Sequence, residues 1–137
     1  MSGLFGMSGS AAMRAADAML RSLGGDCISL VFAAAGFTND PSAQLGMVDP
    51  GVEEVQIRPV VAKSVPTAGT GPRVRREFLL PGSVVARVVV TRNAASAEAM
   101  FESALGVMHA GLLLHIESVT TEFFAGAAYL YRVAAVE

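Results

Sequence analysis

The chain has 137 residues, 53% of them hydrophobic, a net charge of −2 and a single cysteine. That length makes one domain, able to bury about two thirds of the surface its unfolded form exposes, and the lone Cys27 excludes a disulfide framework and suits a reducing compartment. Mean hydropathy is high at +0.51, yet no stretch approaches the ~20 apolar residues of a membrane-crossing helix; one of the longer charge-free candidates, Cys27 to Thr38, lies between Asp26 and Asp40 and contains Gly36.

Ser10 to Leu23 reads as an amphipathic helix, with Met13, Ala16, Met19, Leu20 and Leu23 at helical steps and Arg14, Asp17 and Arg21 opposite. Ser8 or Ser10 can cap it and Gly24-Gly25 ends it. Residues 1–25 are thus an N-terminal helical segment of a single domain spanning 1–137. Its opening lacks a basic stretch ahead of an apolar core, so no signal peptide is expected. "DCISLVFAAAG" follows as a short strand buried on both faces. Phe37 to Gly51 holds Asn39-Asp40-Pro41 and Asp49-Pro50-Gly51, turn chemistry that marks a long loop.

"VEEVQIRPVVAK" alternates, with Val55, Ile57 and Val61 inward; Pro59 lacks an N–H, so the strand lies at an edge or bulges there. Residues 64–76 form a long flexible loop leading into the strand "RREFLLPG". "SVVARVVVTR" is rich in β-branched residues and reads as a strand, although a helix starting near Pro81 also fits, since proline suits a first turn. Asn93 to Leu105 is helical, capped by Asn93 or Ser96, with Met100, Phe101, Ala104 and Leu105 inward and Gly106 closing it. "GLLLHIESVTT" and "AAYLYRVAAVE" alternate as the two arms of a hairpin turning at Gly126. The expectation is an α+β fold: a small antiparallel β-barrel or sandwich of five to six strands, with an N-terminal helix and one inserted helix.

Charge is segregated along the chain. Residues 1–57 carry −4, residues 58–92 carry +6, and residues 93–137 carry −4. A basic middle between acidic ends suits either contact with nucleic acid or a basic face that meets the acidic face of a neighbouring copy.

The stretch "SVPTAGTGPRVRREF" concentrates this charge. A Walker A loop needs Gly-Lys-Ser/Thr and then a helix, whereas Gly69-Thr70-Gly71 leads to Pro72-Arg73 and a strand. The residues are those of a loop tip, with Thr67, Gly69, Thr70, Gly71, Arg73, Arg75 and Arg76 as a candidate partner-contact loop. Its arginines could hold phosphates in a salt-sensitive, sequence-blind way, but no aromatic residue is interleaved to stack bases. His109 and His115 make a poor metal set, which takes three or four ligands, and read as ordinary surface histidines. Cys27 reads as a packed core thiol, with no basic neighbour to activate it. No catalytic, cofactor-binding or metal-ligating set is assigned.

The last third, "HAGLLLHIESVTTEFFAGAAYLYRVAAVE", resembles the closing hairpin of small tailed-phage neck proteins of the head–tail joining, stopper and head-completion type. Gly111, Leu112, Leu114, Ile116, Gly126, Tyr131 and Val133 carry the likeness. The helix at Asn93 to Leu105 departs from the simplest members, which run strand to strand there. The resemblance implies a structural virion protein without enzymatic activity, assembled in the bacterial host cytoplasm. Such a subunit forms a sixfold or twelvefold ring between neighbouring portal, adaptor and tail proteins and helps retain packaged DNA, with non-specific contact to that DNA left open. Thr67 to Arg76 would then be the tip that narrows the channel. The alternative from another class is a nucleic-acid-binding small β-barrel using Arg58, Arg73, Arg75, Arg76 and Arg87. An enzyme would require His115 or Cys27 to share a cleft with a carboxylate.

Overall fold

The computed structural model describes residues 9–34, 51–65 and 73–137. The elements in chain order are α1 (Gly9–Ser22), β1 (Asp26–Ala33), β2 (Val52–Ser64), β3 (Arg75–Pro81), α2 (Gly82–Thr91), α3 (Ala97–Ser103), β4 (Gly106–His109), β5 (Leu112–Phe124) and β6 (Ala127–Val136). The six strands close into one antiparallel barrel in the order β1-β2-β3-β6-β5-β4, with β4 returning to β1. The expected small barrel is therefore what forms.

Strand alternation fills its interior. Ile28, Leu30 and Phe32 on β1, Ile57 on β2, Phe78 and Leu80 on β3, Val107 on β4, Leu114 on β5, and Tyr131, Val133 and Ala135 on β6 are all buried in one cluster. Each large side chain buried this way stabilises the fold by about 1.5–3 kcal/mol. β1 also buries Val31 on its other face, as its unbroken apolar run requires. At Pro59 the strand bulges: Asp26 pairs with Val60 but Ile28 pairs with Ile57. The extra residue shifts the phase, so Val60 is the buried residue and Val61, expected inward, is only half-buried.

The β-branched run at 82–91 is a helix, which corrects the strand reading and adds a second inserted helix to the one expected. Three features override β propensity. Pro81 stands at the N-cap in extended backbone and Gly82 follows. Val84, Val85 and Val88 lie on one helical face and join the barrel core. The end is fixed by Asn93, whose φ of 55° is left-handed. Its N–H donates to the Val90 carbonyl, and the Ala94 N–H donates to Val89. This is a Schellman closure of the last turn.

Gly82 is required by space: a Cβ there would collide with the Ala128 carbonyl oxygen and the Tyr129 backbone. The next helix is shorter than Asn93 to Leu105, because Asn93 ends α2 and Ser96 caps α3, its Oγ accepting from the Ala99 N–H at 3.1 Å. Met100 and Phe101 enter the core as expected, but Leu105 is 51% exposed. Gly106 does not close the helix; it opens β4, pressed against the Leu114 carbonyl.

α1 lies outside the barrel against β6, where Ala12, Ala16 and Leu20 are buried with Leu130. Met19 and Leu23, expected inward, are 48% and 61% exposed. The helix's apolar arc is wider than the barrel covers. Two tight turns complete the sheet. Ala110-Gly111 joins β4 to β5 and Ala125-Gly126 joins β5 to β6, all four residues with positive φ, the geometry of the type I′ turn that matches strand twist.

Candidate functional site

The arginines of the SVPTAGTGPRVRREF stretch divide at β3. Alternation places Arg76 on the same face as the buried Phe78 and Leu80, and Arg75 and Glu77 on the other. Arg75 turns outward and pairs with Glu117 on β5 at 2.9 Å. Arg76 turns into the barrel mouth. Its Nη1 lies 2.9 Å from His109 Nδ1 and donates to the His109 carbonyl at 3.3 Å. Since β3 and β4 are diametrically opposed in the strand order, this side chain spans the mouth.

A guanidinium only donates hydrogen bonds, so Nδ1 must accept and the ring proton sits on Nε2. Nε2 donates to Asp26 Oδ2 at the start of β1, 2.8 Å away, while Asp26 Oδ1 accepts from the Cys27 N–H at 2.7 Å. The imidazole meets the Phe78 ring edge-on at 5.1 Å. The hydrogen bond from His109 is the main cause that holds the Asp26 carboxyl below the usual aspartate value, followed by the Cys27 N–H; partial burial opposes them, and the charge of Arg58 helps. The histidine is thus a structural member of a polar bridge through three strands, not an ordinary surface residue. Its carboxylate partner is distant in sequence, which spacing alone could not reveal.

The same reunion of distant charges recurs around the fold. Arg92 pairs with Glu53 at 3.0 Å and lies over the Phe32 ring at 3.8 Å, and Arg132 bridges Glu77 at 3.3 Å and Glu122 at 4.0 Å. Basic residues of the middle segment are neutralised by acids of the end segments, so part of the charge segregation read from the sequence is internal pairing. Arg58, Lys63, Arg73 and Arg87 are exposed and in no ion pair among the described residues.

Thr67, Gly69, Thr70 and Gly71 lie outside the described residues, as does most of the loop Phe37 to Gly51. Cys27 is half-buried rather than packed in the core, and its thiol makes a weak 3.6 Å contact to the Ile28 carbonyl. His115 lines an open groove of about 450 Å³ between α3 and β5, together with Glu98, Glu102 and Glu117. That groove was not legible from spacing, because its carboxylates come from separate elements. Among the described residues no three His, Cys, Asp or Glu side chains form a metal-binding group, and no helix is long and apolar enough to cross a membrane. Comparisons with protein-family models, curated proteins and solved structures find no match to this chain.

Proposed function

We propose that this chain is a structural subunit of the head–tail connector or neck of a tailed phage or prophage-like particle, working as a ring of identical copies between portal, adaptor and tail proteins. The observation that carries the assembly reading is apolar surface left over after the core is complete. The barrel interior is filled by its own strands and by α2 and α3, yet Val90 is 79% exposed, Phe123 68% and Val52 59%, with Phe124, Leu113 and Leu105 also outside. Contiguous apolar surface marks contacts with other proteins, and the exposed Met19 and Phe124 line one apolar groove with Ala12, Ala15 and Tyr129. The neck assignment draws on the resemblance over residues 109–137, which form the β5–β6 hairpin turning at Gly126 and the turn at Gly111 that leads into it from β4.

The nucleic-acid reading relies on Arg58, Arg73, Arg75, Arg76 and Arg87, and internal partners already engage Arg75 and Arg76. Measuring the mass of the purified protein in solution and on particles tests the proposal. A sixfold or twelvefold multiple of the 14.1 kDa chain is expected. A persistent single copy with a small ligand held in a cleft overturns it.

A further inference from the structure

Of the charges in no ion pair among the described residues, Arg73 precedes β3 and Arg87 lies on α2, while two bases on β2 and two acids on α3 lie on opposite flanks of the barrel. β2 and β5 stand diametrically opposed in the strand order. On the β5 flank, the groove under α3 presents Glu98 and Glu102, with the exposed Leu105 beside them. Neither glutamate is in an ion pair among the described residues. On the β2 flank, the bulge at Pro59 leaves Arg58 and Lys63 both exposed, on either side of the half-buried Val61. Register links the two flanks along one hydrogen-bonded path: Lys63 pairs with Glu77, Glu77 with Ala134, and Ala134 with Ser118, which lines the groove.

We infer that the groove between α3 and β5 receives the Arg58–Lys63 flank of a second copy of this chain, head to tail. This rests on the ring reading above and names the faces that would build it. Opposite charges on opposite sides of one body let each docked copy present the same unfilled groove and the same basic flank to the next. Such heterologous contacts close into a ring when the rotation between copies allows. The long basic side chains reach the carboxylates while Val61 covers Leu105. A small cation or a foreign basic peptide would satisfy the groove but would leave the matched bases on β2 without a role. Glu54, farther along β2, lies away from the docking half of that strand.

The test is sedimentation velocity on the wild type, on Glu98→Lys/Glu102→Lys and on Arg58→Glu/Lys63→Glu, each alone and then the two variants mixed. Each variant alone should run as a single 14.1 kDa chain where the wild type assembles. The mixture should regain assembly with alternating copies, which also shows that both variants fold. Raising salt from ~0.1 M to ~1 M, which cuts the screening length from about 10 to about 3 Å, should loosen wild-type assembly. Either variant keeping the wild-type mass overturns this interface and leaves the ring reading standing, and a mixture that fails to reassemble also overturns the interface. A wild type that remains a single chain at low salt and at its solubility limit overturns both.

Discussion

Arg76 on β3 and His109 on β4 face each other across the whole width of the barrel and meet at 2.9 Å. No backbone pairing joins these two strands, so the contact braces the mouth where the ladder cannot. His109→Ala should leave the guanidinium and the Asp26 carboxylate without their shared partner, at a cost of about 1–3 kcal/mol. Arg76→Met, which removes the charge while keeping the packed stem, should cost less than His109→Ala. Chemical denaturation of the two variants checks the order; equal losses would mean the brace contributes only packing.

Asp26 sets the acid response of the same bridge. Its folded-state pKa is depressed, first by the His109 hydrogen bond, so its contribution is present above the ordinary aspartate value and is lost as pH falls through the lowered one. Because its side chain is 52% exposed, solvent screening keeps that contribution small. Asp26→Asn should therefore lower stability slightly at neutral pH and flatten its fall below about pH 4. Thermal melts of both proteins across that range would show whether the curves converge.

Ala110 and Ala125 each hold a φ of 50° in their turns, a left-handed backbone that costs an alanine roughly 1 kcal/mol. Ala110→Asn and Ala125→Asn should each raise stability by about 0.5–1 kcal/mol, since asparagine favours this position of a type I′ turn. The two turns lie at opposite ends of β5, so their effects should add. Melting temperatures of the single and double variants measure this directly.

Gly82→Ala should do the reverse of what helix propensity predicts. Alanine gains about 1 kcal/mol over glycine inside a helix, but here its Cβ meets the Ala128 carbonyl and the Tyr129 backbone. A net loss of about 1–3 kcal/mol is expected, as for other overpacked sites. A variant as stable as the parent would show that α2 can shift away from β6.

Most of the barrel was legible because its signals are local. Alternation at Leu112, Leu114 and Ile116 marks β5, Pro59 marks the bulge, and Gly24-Gly25 ends α1. The run Val84 to Val90 misled because a β-branched sequence carries no record of which strand positions are already filled; closure of the barrel leaves that segment to pack as a helix. The polar bridge was hidden for a related reason. Asp26, Arg76 and His109 are spaced far apart in the chain, and only the order in which strands meet brings them together. The charge map, read as segregation, looked different once Arg75 met Glu117 and Arg92 met Glu53.

Sheet closure has one more effect. An open sheet offers a row of unpaired N–H and C=O groups to which any extended peptide can add, and that route leads to strand swapping and fibrous growth. Here β1 and β4, the strands that would otherwise form the two borders, satisfy each other through Ser29–Met108, Leu30–Val107 and Val31–Gly106. Along these residues, recruitment of further polypeptide has to go through side chains. Side chains on its outer surface can therefore be changed while the hydrogen-bonded cylinder stays intact.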